Sequence, residues 1–230
     1  MVKTPPQSKL LLPPLENGDR LNRYEFERRY SAMPSLKKAE LIEGAVYMAA
    51  AALRFKSHGQ PHAHLMGWLW TYEVATSGVA LGDTPTVRLD SENEPQPDAV
   101  LLIEERAGGQ SRISVDDYVE GAPELVAEIA ASSAAIDLGD KKRAYCRNGV
   151  KEYIVWQVFD QKLDWFYLQE GEYLSLPTDT DGIVCSQIFP GLWLAVEDLL
   201  AGNIPRVLAI LQEGLASPEH AMFLQKLAKP

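Results

Sequence analysis

The sequence predicts one mixed α/β (α+β) domain, in which helices flank a central sheet. Its 230 residues are enough for one substantial hydrophobic core with an appended element. A hydrophobic fraction of 46% and five Trp are typical of a packed globular protein and argue against disorder. Segments with helical spacing alternate with segments of strand spacing, in the order helix, hairpin, helix, strands, helix, strands and helices. This order indicates a mixed sheet covered by helices.

The chain begins with a predicted arm, and the elements that follow it open the domain. Residues 1–18 contain four prolines and predict a flexible or extended arm before a domain over 19–200. The first predicted elements are a short helix, a hairpin that turns at a Glu-Gly pair and a long helix with one apolar face, over 20–30, 40–48 and 61–76.

The middle of the chain predicts the sheet and one further helix. The segment 123–131 is almost entirely apolar, which is typical of a central strand buried on both faces. A helix over 134–147 follows it and ends at Asn148-Gly149. The remaining strand patterns lie at 79–89, 97–104, 152–158, 162–168 and 172–176.

The tail of the chain has helical spacing from about Val196 onward. Pro205 and Pro218 are predicted to break it into pieces, because proline cannot continue a helix. Residues 201–230 are therefore expected to form a C-terminal helical extension packed on the domain.

Composition excludes several classes of protein. No apolar run approaches the roughly 20 residues that span a bilayer, and the N-terminus has no signal-peptide pattern. We therefore expect a cytoplasmic protein that does not enter a membrane. Two cysteines are too few for a disulfide framework or a zinc cluster. The net charge of −10 argues against tight non-specific binding of nucleic acid, although residues 134–151 carry five basic and two acidic side chains.

Two carboxylates at strand positions indicate a candidate cation site. Asp98 follows Pro97 and opens an apolar strand, so its side chain has little freedom. Glu128 lies inside the apolar segment 123–131, where an unpaired carboxylate costs several kcal/mol. Glu128 therefore needs a bound cation, a hydrogen-bonding network or a raised pKa, and a structural ion pair is the competing explanation. Asp98 alone also fits an ordinary acidic residue at the start of a strand.

The helix after the second carboxylate supplies a lysine. Asp137, Lys141 and Tyr145 are spaced four residues apart and share one helix face, while Lys142 lies one position further round. One reading places a lysine over the carboxylates, where it orients or deprotonates a water and stabilises charge on a phosphate. The other reading is a solvated ion pair between Asp137 and Lys141, worth a few tenths of a kcal/mol.

Several ordered motifs over residues 19–200 resemble the bacterial Uma-type putative restriction endonucleases, which belong to the PD-(D/E)xK nuclease superfamily. The motifs that carry the resemblance are Glu40-Leu-Ile-Glu-Gly44, Pro61-His62, Pro97-Asp98, Pro123-Glu-Leu-Val-Ala-Glu128-Ile129, and the series Asp137, Lys141, Tyr145, Gly149-Val150 and Glu152-Tyr153.

This resemblance implies a restriction-endonuclease-like fold, a Mg²⁺-dependent nuclease site (with Mn²⁺ as a substitute), DNA as the substrate and a homodimer. It assigns catalysis to Asp98, Glu128 and Lys141, and the metal to Asp98, Glu128 and the backbone carbonyl near Ile129. The residues that it implies as supporting are Glu40, Lys142, His62 and Tyr145.

The sequence departs from the superfamily pattern at two places. Ala130 stands where the simpler pattern has its lysine, and Ala131-Ser-Ser-Ala-Ala135 replaces a Ser-Pro-Ser type loop. A nuclease fold that binds or regulates without efficient cleavage is therefore an alternative function, and a structural oligomer built through the aromatic segment 153–168 is a third. His58 and His64 join His62 in a group whose spacing matches no strong zinc motif.

Overall fold

The computed structural model describes residues 12–48 and 54–229. Within them the helices are α1 (Arg23–Ser31), α2 (Gln60–Ala75), α3 (Ala134–Ile136), α4 (Lys142–Asn148), α5 (Val196–Ala201), α6 (Ile204–Leu215) and α7 (Pro218–Leu227). A π-helical turn (Phe55–Gly59) leads into α2, another (Asp137–Lys141) joins α3 to α4, and a 3-10 turn covers Glu105–Ala107.

The strands form one large sheet and three small ones. They are β1 (Ala39–Ile42), β2 (Ala45–Met48), β3 (Val79–Asp83), β4 (Val87–Arg88), β5 (Ala99–Ile103), β6 (Arg112–Ile113), β7 (Val119–Glu120), β8 (Leu125–Ala130), β9 (Glu152–Gln157), β10 (Lys162–Gln169), β11 (Glu172–Ser175), β12 (Ile183–Cys185) and β13 (Trp193–Ala195).

The large sheet has six strands in the order β11-β10-β9-β8-β5-β3. The pair β8–β9 is parallel, and the other neighbours are antiparallel. Hairpins β1–β2 and β12–β13 and the three-stranded sheet β4-β7-β6 surround it. The predicted mixed α/β architecture is therefore confirmed, and β8 and β9 are the fully buried central strands.

The two faces of the large sheet are covered differently. On one face, α2, α6 and α7 pack in a single core with side chains of the central strands. On the other face, the helix that contains Tyr145 packs in a second core with Tyr153 and Phe166. A third, smaller cluster joins α1 to the β1–β2 hairpin around Phe26.

Both ends of the described chain pack on the domain. Residues 1–11 of the predicted arm lie outside the described residues, but Leu15 is buried and the Gly18 N–H donates to the Val46 carbonyl at 2.8 Å. At the other end, α6 and α7 bury Leu211, Phe223 and Leu227. None of the helices within 12–48 and 54–229 is both long and apolar enough to cross a membrane.

Most predicted elements are present, and one predicted strand is wrong. The hairpin turns at Glu43 and Gly44 as predicted, and both have positive φ, at 51° and 71°. The predicted strand over 79–89 is two strands in different sheets, because Thr84 has a φ of 50° and Pro85 follows it. The tail is helical in pieces as predicted, and Pro205 and Pro218 each lie in the first turn of a new piece, α6 and α7, where the missing N–H is not needed.

The backbone of Glu94, a residue with a buried carboxyl group, joins the hairpin to the segment before β5. Leu41 and Glu94 exchange backbone hydrogen bonds of 3.2 and 2.7 Å, and the Glu94 side chain is only 3% exposed. The pKa of Glu94 is raised to about 9: burial contributes most, a hydrogen bond that protonated Glu94 donates to Glu27 and the negative charge of Glu27 add to the rise, and Arg88 and Arg23 oppose it. Glu94 is therefore protonated in the folded protein at neutral pH.

This group gives the folding stability a pH dependence. The pKa of Glu94 rises from its ordinary 4.5 to about 9 on folding, so the free energy of unfolding falls as the pH rises between these values. The fall is at most about 1.4 kcal/mol per pH unit. Urea unfolding at pH 6 and pH 9 is expected to show a smaller loss for Glu94→Gln than for the wild type. Glu172→Gln, on an exposed edge strand, is the control, and equal losses in all three proteins would contradict the assignment.

Candidate active site

Asp98 and Glu128 lie side by side on one face of the large sheet. Ala99 pairs with Ala127 in the β5–β8 ladder, and continuing this register by one pair places Asp98 opposite Glu128. Side chains alternate along a strand, so both carboxylates share the face of Val100 and Val126. Asp98 is 5% exposed and Glu128 is 3% exposed.

The Asp98 carboxylate is fixed by the backbone of the neighbouring strand. The Ile129 N–H donates to Asp98 Oδ2 at 2.7 Å. Among the described residues, Asp98 Oδ1 accepts no hydrogen bond, and its neighbour is the His58 imidazole, with Nε2 at 3.7 Å. One carboxylate oxygen is thus held by the sheet, and the other is available.

Lys141 is the centre of the site. Its Nζ lies 2.9 Å from Glu40 Oε1, 2.9 Å from Glu128 Oε1 and 3.7 Å from Asp137 Oδ1. The ammonium therefore links strand β1, strand β8 and the π-helical turn. The Tyr145 hydroxyl also donates to Glu128 Oε1, at 3.0 Å.

The cluster contains four carboxyl groups, those of Glu40, Asp98, Glu128 and Asp137, and one ammonium group, all of which are buried. One positive charge cannot neutralise four negative charges, and burial makes the excess expensive. A group with this imbalance either keeps protons or takes up a cation.

The pKa shifts follow from this imbalance. The pKa of Glu128 is raised to about 8: burial contributes most, the charge of Lys141 opposes the rise, and the carboxylates of Asp137, Asp98 and Glu40 add to it. Burial also raises the pKa of Glu40, but the charges of Lys141 and Lys38 outweigh burial, so that its net pKa is lowered. For Lys141, burial lowers the pKa, but Glu128, Glu40 and Asp137 raise it well above its ordinary value. Lys141 therefore stays charged.

Asp137 is a member of the site that the sequence did not identify as functional. The sequence offered the Asp137–Lys141 spacing as a solvated ion pair, but both side chains are buried. Ser133 Oγ donates to Asp137 Oδ2, and Oδ1 has no hydrogen-bond partner among the described residues. The four-residue spacing of Asp137 and Lys141 is visible in the sequence. The burial of Asp137, however, depends on the hairpin, which is distant in sequence.

Two residues expected in supporting roles lie elsewhere. The Lys142 ammonium lies 3.5 Å from the centroid of the Phe166 ring, and the structure does not bring it to the carboxylates. His62 Nε2 lies 3.2 Å from the Asp98 carbonyl and 3.2 Å from Asp83 Oδ1, so His62 borders the site without contacting the cluster side chains.

Both π-helical turns adjoin the carboxylates. One carries Asp137 and Lys141, and the other carries His58. π-Helical turns are rare and occur frequently at functional sites. This coincidence supports a functional reading of the cluster over a purely structural ion pair.

The donor atoms suit a hard divalent cation. Among the described residues, no three His, Cys, Asp or Glu side chains already converge as a metal site. Mg²⁺ needs fewer than three protein ligands, because it usually keeps several waters and binds through one or two carboxylates. Asp98 Oδ1 is free of hydrogen bonds from the described residues, and Asp137 Oδ1 is buried without a hydrogen bond from them, 3.7 Å from the Lys141 ammonium. The oxygen-rich, negatively charged cluster therefore fits such an ion.

Comparison with known proteins finds both a family model and a solved structure that are similar to this chain. Residues 23–197 match the model of the family Uma2, which is described as "Putative restriction endonuclease". A solved structure described as "a putative nuclease belonging to DUF820 from Anabaena variabilis ATCC 29413" has a TM-score of 0.57 and 13% identity, over 76% of this chain and 96% of that chain. No curated protein matches. The structural likeness confirms the predicted restriction-endonuclease-like fold.

The position of Lys141 predicts a large effect on stability. Lys141→Met keeps most of the side-chain volume but leaves the carboxylates of Glu40 and Glu128 without their ammonium, which typically costs about 3–5 kcal/mol. Lys142→Met is the matched control, because it removes only a contact with Phe166 worth about 0.5–1 kcal/mol. Urea unfolding without added metal measures both losses. Equal losses would show that Lys141 does not hold the cluster together.

Proposed function

Because the chain belongs to the Uma2 family of putative restriction endonucleases, we propose that it is a metal-dependent endonuclease that hydrolyses phosphodiester bonds in DNA. The observation that carries this proposal is that Asp98 lies opposite Glu128 on neighbouring strands, while the Lys141 ammonium contacts Glu128 at 2.9 Å. These three side chains come from a strand start, a central strand and a helical turn, and their burial leaves them few alternative positions.

Asp98 and Glu128 would hold the ion, which is Mg²⁺ or Mn²⁺. The Ile129 carbonyl accepts a hydrogen bond from the Ala131 N–H at 3.1 Å and has a second lone pair that can serve as a ligand. A divalent ion bound by these groups would polarise a phosphate oxygen and lower the pKa of water. The backbone N–H of Ile129 keeps the Asp98 carboxylate in a fixed orientation.

Lys141 has an electrostatic role in this proposal. Its raised pKa keeps the ammonium protonated at neutral pH, so it cannot take a proton from water. Of the three roles expected for this lysine, orientation of a water and stabilisation of charge on the phosphate therefore fit a protonated ammonium, and deprotonation of the water does not. A fixed ammonium in a site of low dielectric stabilises the negative charge that develops on the phosphoryl oxygens.

DNA as the substrate is supported by the family and is limited by the charge. A net charge of −10 favours recognition through a local surface over binding along the whole protein. The homodimer implied by the resemblance stays a prediction.

A second candidate function is favoured by one observation. Lys141 already neutralises part of the cluster, and the site side chains are almost inaccessible to solvent. This arrangement also fits a nuclease fold that binds or regulates without cleavage. Calorimetric titration with Mg²⁺ and Mn²⁺ separates the two functions, because only the enzyme requires a metal site that Asp98→Asn removes.

The nuclease proposal predicts the effect of two nearly isosteric variants. Asp98→Asn and Glu128→Gln each remove a charged ligand and are expected to lower the rate of metal-dependent DNA cleavage by more than about 100-fold, since even outer groups of metal sites contribute 10–100-fold. Nicking of a supercoiled plasmid measures the rate, and circular dichroism checks the fold.

Asp160→Asn is the matched control, because this exposed aspartate lies in the turn between β9 and β10. It is expected to cleave at the wild-type rate. Cleavage by Asp98→Asn at that same rate would refute the assignment of the site.

A further inference from the structure

The imidazole of His58 faces the free oxygen of Asp98. His58 lies in the π-helical turn before α2, and its side chain is 16% exposed. The distance from His58 Nε2 to Asp98 Oδ1 is 3.7 Å, which is too long for a hydrogen bond. His58 Nε2 and Asp98 Oδ1 therefore lie beside each other without a hydrogen bond between them. Each of these two atoms can act as a metal ligand.

His62 holds this imidazole in place. The rings of His58 and His62 are parallel within 9°, with their centroids 5.7 Å apart. His62 Nε2 lies 3.2 Å from two acceptors, the Asp98 carbonyl and Asp83 Oδ1, so the network assigns the proton to that nitrogen. The His62 Nε2 lone pair is therefore not free for a ligand. His58 Nε2 has no such acceptor partner at hydrogen-bond distance among the described residues.

We propose that His58 is a nitrogen ligand of the ion at Asp98, a role that rests on the proposed metal-dependent function. Two ligand atoms that each lie about 2.1 Å from one ion are separated by at most about 4.2 Å. The observed 3.7 Å lies within this limit, so Asp98 Oδ1 and His58 Nε2 can bind the same ion without rearrangement of the backbone. Because no three His, Cys, Asp or Glu side chains already converge as a metal site among the described residues, the Glu128 side chain would have to shift to join these two ligands, and water would complete the set.

A mixed set of ligands changes which ion the site prefers. Carboxylate and water ligands suit Mg²⁺ and Mn²⁺ alike, whereas imidazole suits first-row transition ions. The site is therefore expected to bind Mn²⁺ more tightly than Mg²⁺. His58→Gln should reduce this preference, because it removes the nitrogen and leaves the carboxylates of Asp98 and Glu128.

The direct test is pulsed electron paramagnetic resonance on the full chain loaded with Mn²⁺. A bound imidazole gives a ¹⁴N coupling in the echo modulation, and labelling with ¹⁵N-histidine must replace it. We expect the coupling in the wild type, its loss in His58→Gln and its retention in His64→Gln, a histidine control on α2, the helix that follows the turn. The labelling experiment needs no variant, so the presence of a histidine ligand is tested even if His58→Gln does not fold.

The outcomes separate this proposal from the nuclease function. If Mn²⁺ binds in a manner that requires Asp98 but shows no ¹⁴N coupling, the role of His58 is refuted and the metal site stands. Coupling that persists in a folded His58→Gln protein also refutes it. If the wild type binds no Mn²⁺, both the His58 ligand and the metal-dependent function fall.

Discussion

The buried ammonium of Lys141 is the interaction on which the arrangement of the site depends. It joins Glu40 of the hairpin, Glu128 of the central strand and Asp137 of the π-helical turn. Among the described residues, no other positively charged side chain forms ion pairs with all three of these elements. Burial of an ion pair is costly, and close geometry with further hydrogen bonds is needed to offset that cost. The Tyr145 hydroxyl and the Gln96 N–H supply such bonds. The same ammonium lets several carboxylates stay close together in a dry environment.

The fold was largely predictable because the local residue pattern of the strands and turns indicates their structure. The apolar segment 123–131 is long enough to be a buried strand, and the Glu-Gly pair at 43–44 has the conformation that its turn requires. Asp98 and Glu128 could be placed together because both lie on neighbouring strands of this sheet. The family match and the structural likeness bear out the predicted family and fold.

The rest of the site could not be predicted from local pattern. Nothing near Asp137 shows that it is buried, because the Glu40 side of the cluster comes from a hairpin almost a hundred residues away. The choice between Lys141 and Lys142 was also open, because ordinary helical spacing does not reveal a π-helical turn that changes the phase of the side chains. His58 was grouped with His62 and His64 by spacing alone, since its neighbour Asp98 is close only after folding.

The two π-helical turns also bear on how this fold can vary in length. In an α-helix each residue advances the chain by about 100° and 1.5 Å, and a π-helical turn accommodates one residue more than an α-helical turn. Loss of a single residue between Asp137 and Lys141 would restore regular winding and rotate the lysine away from the carboxylates of Glu40 and Glu128. The turn that carries His58 has the same sensitivity. Substitutions in these segments can preserve the direction of every side chain, whereas insertions and deletions cannot, so their length is under a tighter constraint than their composition.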